Sequence, residues 1–317
     1  MAARLFEEQE HAALYQKYRP TPPAEIRNLV LNYLQRKVAT GDIIQSAVAR
    51  HINQVNDGLL DRASNYMTFP MDNWQHHDGA GQMKGKPFGL AVDVGCGSGL
   101  STRNLAPFFE KVVGIDVSGA QIEEAKKMGG LNNVSYRLGL AEELEFEDGS
   151  VDLVTAGTAA HWFDMEKFMK EVHRILKPKG CLALYCYRCP FELRYSACPE
   201  PLTQIVQEMF KALAPYESEK RQIVQNEYKE VFDAITFPDK ERFDNIPFKR
   251  QVSISWVIGF IKSLSYYQTF QKKDPEAAKA SLERMEQKLL QAMGVSSSET
   301  MLEMRLNAFC LLASKPE

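Results

Sequence analysis

Between residues 89 and 187, short apolar runs alternate with stretches whose apolar positions recur at helical spacing. GLAVDVG predicts a buried strand, STRNLAPFF a helix, KVVGID a strand and AQIEEAKKM a helix. NVSYRLG and VDLVTAG follow as strands, then MEKFMKEVHRILK as a helix that stops at Pro178 and Gly180, then CLALYCY as a strand. Such alternation describes a mostly parallel α/β sheet wound on both faces. Upstream, residues 5–18 and about 23–37 predict two amphipathic helices separated by RPTPP. Downstream of Cys189 the alternation breaks. PLTQIVQEMFKAL and IVQNEYKEVFDAI predict helices with no strand between them, and FKRQVSIS returns as a strand. WVIGFIKSLSYYQTF and DPEAAKASLERMEQKLLQAMG predict helices, and MLEMRLNAFCLLA closes as a strand. The chain thus divides into an N-terminal helical segment (1–37), an irregular insert rich in loop formers (38–88), and a main domain (89–317) with a helical cap at about 190–247.

Composition narrows the classes. A length of 317 residues with a formal net charge of −3 supports a sizeable core and gives no clustered basic face for nucleic acid. No apolar run is long enough to span a bilayer, and the acidic N-terminus gives no expectation of a secretory leader. The six scattered cysteines read as reduced thiols of a cytoplasmic protein. Cys186 and Cys189 form a CxxC with no histidine at zinc spacing, and His76–His77 fall in the insert, so no metal is expected.

The chemistry gathers at AVDVGCGSGL, residues 91–100. Gly95, Gly97 and Gly99 follow a buried strand and open onto a helix, where bare backbone and unpaired N–H groups can meet a polar ligand. A dinucleotide fingerprint needs a glycine at position 100, and Leu100 stands there. The pattern is instead D-x-G-x-G-x-G from Asp93. An acid just inside the first glycine suits a ligand with a cationic amino group, which favours S-adenosylmethionine over a dinucleotide. Asp116, closing the next strand, can accept both ribose hydroxyls, a device that dinucleotide sites share. Ala141 and Glu142 follow the third strand, where they can edge an adenine ring.

VDVGCGSG, VVGIDVS, AEELEFEDGSVDLV and AAHWFD resemble the successive motifs of class I S-adenosylmethionine-dependent methyltransferases. YQKYRPTPP and AAHWFD further resemble the trans-aconitate methyltransferase group and its eukaryotic relatives. The resemblance implies a seven-stranded Rossmann-like sheet whose last strand is antiparallel, inserted beside the sixth. It places Asp93, Gly95, Gly97 and Gly99 at the methionine part of the donor, Asp116 at the ribose, Ala141 and Glu142 at the adenine, and Ala159 beneath the sulfonium. In similar enzymes the N-terminal segment carrying Tyr18 and Arg19 folds over the donor as a lid. The insert departs from the pattern.

For the acceptor, a small molecule, His161 reads equally as a base, as an orienting group or as a loop anchor. Trp162 can face the cationic sulfonium. Arg19 reads as a carboxylate clamp or as a surface arginine at a helix end, and Arg188 and Arg194 carry the same two readings. Trp256, Tyr266 and Tyr267 lie on a helix that either roofs the pocket or belongs to the core. The leading function is methyl transfer from S-adenosylmethionine to such an acceptor, for instance a small carboxylic acid. Two alternatives stand beside it. The resembled group includes a branch that uses 3′-phosphoadenylyl sulfate to sulfonate 2-aminoacrylate, in which Arg19, Arg103 or Arg137 would offset the extra phosphate. The other is a non-catalytic adenosyl-binding regulatory module. Nothing in the sequence fixes the oligomeric state.

Overall fold

A computed structural model describes residues 6–38, 86–195 and 199–317. Most of the insert, with His76–His77, lies outside them. Strands β1 (Phe88–Val94), β2 (Phe109–Asp116), β3 (Val134–Leu138), β4 (Val151–Gly157) and β5 (Leu176–Tyr187) pair in parallel in the order 3-2-1-4-5. The β-branched and leucine-rich runs of β1, β2, β4 and β5 are buried on both faces, as a parallel sheet requires, while β3 forms a partly exposed edge. Helices α3 (Leu100–Leu105), α4 (Gly119–Lys127) and α5 (Met165–Ile175) make the crossovers. In α5, Phe168, Met169, Val172 and Ile175 point into the core at helical spacing, and Asp164 caps the N-terminus by accepting from the Lys167 amide.

The last strand, β8 (Met301–Ser314), runs antiparallel to β5 and inserts between it and β7 (Asp239–Ser253). A three-residue strand, β6 (Glu192–Arg194), pairs with β8 on the same edge as β5, beyond the end of β5. Among the described residues, eight strand segments therefore fill seven positions, the arrangement the resemblance implied. β7 begins at Asp239, within the stretch read from sequence as cap. Its DKERFDNIPFKRQ carries too many charges to alternate cleanly, as suits a strand with one edge unpaired among the described residues.

The cap is built from two stretches of chain. Helices α6 (Pro199–Leu213), α7 (Arg221–Gln225) and α8 (Lys229–Ala234) precede β7, and α9 (Ile254–Lys262), α10 (Ser265–Lys273) and α11 (Pro275–Met293) follow it. Leu202, Val206, Phe260, Leu282 and Leu289 join residues from both stretches in one apolar cluster. Of the two N-terminal helices, α2 (Ala24–Val38) seals one face of the sheet, burying Ile26, Val30, Leu31 and Leu34 against Ala91, Cys181 and Leu312. Helix α1 (Gln9–Tyr18) lies against α4 and α9 instead. There Gly259 of α9 takes the ring of Tyr18 so closely that a Cβ would come 2.4 Å from it. Gly259→Ala is expected to lower the unfolding free energy by about 1–3 kcal/mol through overpacking at this contact, measured by urea denaturation.

Candidate active site at the glycine loop

The site begins with Asp93, buried at the end of β1. Its Oδ2 accepts from the hydroxyls of Ser101 at 2.7 Å and Thr102 at 2.6 Å, and its Oδ1 from Thr155 at 2.9 Å. Burial pushes its carboxyl above the usual carboxylate range, against the pull of the three hydroxyls. The sequence reading put Asp93 on the ligand. The structure spends its carboxylate on tying the glycine loop to α3 and β4, and Asp93 does not line the cleft.

The loop it holds presents bare backbone. Gly95, Gly97 and Gly99 all adopt left-handed φ. At Gly95 a Cβ would lie 2.5 Å from the Ala159 Cβ. Gly99 caps α3 against the Tyr136 hydroxyl rather than reaching the cleft. Asp116 ends β2 half-buried in the cleft wall, its Oδ2 accepting from the Gly97 amide at 2.8 Å and its Oδ1 from the Ser118 amide at 2.9 Å. Burial raises this carboxyl too, and the two amides oppose the rise. Each oxygen keeps a further lone pair for a ligand.

These residues open on a cleft of about 770 Å³, counting the solvent in its mouth, which Gly95, Gly97, Asp116, Ala141, Glu142, Ala159 and Trp162 all line. Glu142 accepts from the Asp164 amide at 2.8 Å, which fixes its carboxylate at the rim. Tyr18, expected at the donor, is turned onto Gly259; Tyr15, one turn earlier on α1, lines the cleft in its place. No lysine or arginine lines it among the described residues. Arg103 donates to the carbonyls of Met128 and Gly129, and Arg137 lies over Phe146. A 3′-phosphate beside Asp116 would meet no cation in this lining. The bare loop, the ribose-ready carboxylate and the aromatic wall fit an adenosyl group carrying no phosphate.

A second chamber lies across Tyr15 and Trp162, lined among others by Arg19, His161, Cys189, Arg221 and Tyr266. Arg19 donates to the Tyr187 hydroxyl at 2.5 Å and the Ser263 carbonyl at 3.1 Å, and its guanidinium lies over the ring of Tyr15. Its Nε is buried without a partner among the described residues, as is the Tyr266 hydroxyl. Arg221 pairs with Glu217 at 3.2 Å. Sequence reasoning missed it, because an arginine in a polar helical stretch carries no signal of what faces it. His161, buried in the turn Ala160–Trp162, has its Nδ1 2.7 Å from the Tyr228 hydroxyl. Burial, with Arg221, Lys220 and Arg19 nearby, lowers its pKa to about 3. The other acceptor candidates lie elsewhere. Arg188 pairs with Glu227 at 2.7 Å, and Arg194 is exposed beside Glu192. Among the described residues no group of three or more His, Cys, Asp or Glu side chains could hold a metal, and no helix is long and apolar enough to cross a membrane.

Comparison with known proteins agrees with this geometry. Residues 92–184 match the family described as methyltransferase domain. A Dictyostelium discoideum protein provisionally named a methyltransferase is 31% identical over 71% of this chain and 82% of its own length. An uncharacterised methyltransferase-like protein of Schizosaccharomyces pombe is 27% identical over 62% of this chain and 72% of its own. A solved structure from Anaeromyxobacter dehalogenans, provisionally named a type II methyltransferase, shares the fold with a TM-score of 0.58 and 24% identity, over 72% of this chain and 91% of its own. With the glycine loop, the acid ending β2 and the sheet order alike pointing one way, the chain belongs to the class I S-adenosylmethionine-dependent methyltransferases.

Proposed function

We propose that this methyltransferase acts on a small carboxylic acid held in the second chamber, as its resemblance to the trans-aconitate methyltransferase group implies. The observation that carries the reading is Arg19, a largely enclosed cation with no carboxylate partner among the described residues, placed one aromatic ring away from the donor cleft. A guanidinium so held is completed by an anionic ligand, which it can take bidentately.

When bound, the donor supplies an electrophilic methyl group on a cationic sulfur. The residues of this chain bind and orient. Gly95 and Gly97 leave room for ligand atoms against main chain, Asp116 takes the ribose hydroxyls and Glu142 the adenine amino group, with Ala141 and Ala159 as apolar walls. Trp162 lines both the cleft and the chamber and offers its face to the cationic end. Arg19 turns the acceptor toward it. A carboxylate is already the nucleophile, so the chain has no proton to remove, and orientation supplies the acceleration.

Parallel titrations test the donor and the class together. Wild-type chain is expected to bind S-adenosylmethionine and S-adenosylhomocysteine, and Asp116→Ala to weaken both on the order of a hundredfold through two lost charged hydrogen bonds. Binding of 3′-phosphoadenylyl sulfate with no binding of S-adenosylmethionine would overturn the proposal. Donor binding without methyl transfer to any of a panel of small acids would favour a regulatory module.

A second expectation concerns acid. His161 takes up a proton near its ordinary pKa of 6.5 in the unfolded chain, but only at about 3 in the folded one. Below 6.5 the unfolded state therefore binds the extra proton, and this residue's contribution to stability falls by about 2 kcal/mol between pH 7 and pH 5. Urea unfolding at both values should show the loss in wild type, and a smaller one in His161→Gln.

A further inference from the structure

We infer that Tyr228 is a positioning residue, whose hydroxyl donates to Nδ1 of His161 and thereby keeps the ring proton on Nε2, making His161 a hydrogen-bond donor to the acceptor rather than a base. The inference rests on the acceptor chamber proposed above, and it settles which of the roles read for His161 that chamber uses.

The geometry allows two proton arrangements. The Tyr228 hydroxyl and His161 Nδ1 are 2.7 Å apart, so one hydrogen lies between them. If the hydroxyl donates, the neutral imidazole carries its single proton on Nε2. If Nδ1 donates instead, the phenolic hydrogen must go elsewhere. Tyr228 is fully buried, and beside its hydroxyl, apart from His161, the side chain within hydrogen-bonding reach among the described residues is the thiol of Cys186. A thiol sulfur is a weak acceptor, whereas an imidazole nitrogen is a good one. The first arrangement satisfies the hydroxyl and the second leaves it poorly partnered in a buried site, which is costly.

The other ring nitrogen faces the chamber. His161 lines it, and Nε2 has no partner among the described residues, nor is it one of the buried unpartnered atoms. Arg19 and Arg221 lie on the same walls, so a second proton on the ring would add a third cation to an enclosed space. The ring stays neutral, with one proton, and that proton is the one presented. Together with Arg19 and Arg221 it offers a set of donors matched to the oxygens of a carboxylate. A base on Nε2 would compete with the acceptor for those arginines.

The backbone under Tyr228 is shaped for this aim. Glu227 and Tyr228 adopt left-handed φ values of 56° and 58°, a conformation L-residues rarely take. Arg242 donates to the Glu227 carbonyl at 2.8 Å, and Arg188 pairs with the Glu227 carboxylate at 2.7 Å. Strained backbone persists where its surroundings over-determine it, and here two arginines do so one residue before the tyrosine. Arg188, considered above for acceptor contact, serves the acceptor site through this frame.

The test is the tautomer itself, read without knowing the acceptor. In the full chain labelled with 15N-histidine, a long-range 1H–15N spectrum at pH 7 assigns His161 by its absence in His161→Gln. The expected spectrum shows a protonated Nε2 and an unprotonated Nδ1. Tyr228→Phe should shift both nitrogens toward a mixture of tautomers while leaving S-adenosylhomocysteine affinity within twofold. A protonated Nδ1 in wild type overturns the assignment, and so does an unchanged Nε2–H form in the phenylalanine variant. The wild-type spectrum decides even if that variant does not fold. Failure of the methyltransferase reading shows separately, as absent S-adenosylhomocysteine binding in wild type.

Discussion

The site depends on one buried carboxylate held by three hydroxyls. Asp93 draws Ser101 and Thr102 from the start of α3 and Thr155 from β4 onto the end of β1. That junction anchors the chain between β1 and α3, where Gly95 and Gly97 expose their backbone. With the loop so fixed, the Gly97 amide reaches Asp116, and the ends of β1 and β2 become one surface. An open parallel sheet leaves its ligand crevice outside the carboxyl ends of its strands. Asp93 is what keeps that crevice in register. A hydroxyl donor costs little to leave solvated when the loop is unformed, so the clamp closes with the fold and without a second buried charge.

The two chambers meet at Tyr15 and Trp162, each of which borders both. This shared wall explains the division of charge. The cleft at the glycine loop has acids and aromatic faces and no lysine or arginine among its described lining, while the second chamber, proposed for the acceptor, holds Arg19 and Arg221. On the proposed reading, a cationic sulfonium and an anionic acceptor would be drawn to opposite sides of the same rings. Because α1 supplies Tyr15 and ends at Arg19, a single short helix contributes to the walls of both cavities. Its packing on Gly259 joins that helix to the cap.

Much of this was legible in the sequence. Gly95 and Gly97 of the glycine loop, Asp116 at the strand end, and the Ala141–Glu142 pair all lie at the cleft. Their roles follow from main-chain position, which strand and turn patterns encode. What was not legible depends on side-chain direction or on distant packing. Asp93 reads as a ligand contact from its spacing, yet the hydroxyls that occupy it come from α3 and from a strand some sixty residues away. Tyr18 and Tyr15 lie on one helix, and only the packing of Gly259 decides which of them turns inward. Arg221 enters the chamber through the cap fold, and no local pattern announces it.

β7 was obscured for a different reason, and that reason has a use. Among the described residues its outer edge has no neighbouring strand, which leaves its backbone amides and carbonyls without sheet partners there. The strand carries Lys240, Arg242, Lys249 and Arg250, places Pro247 within its length, and breaks register between Phe243 and Ile246. Solvated charged side chains blunt the edge, the proline removes a donor, and the irregularity twists the edge out of line. The polarity that hid this strand from a hydrophobic pattern is of the kind that discourages edge-to-edge pairing.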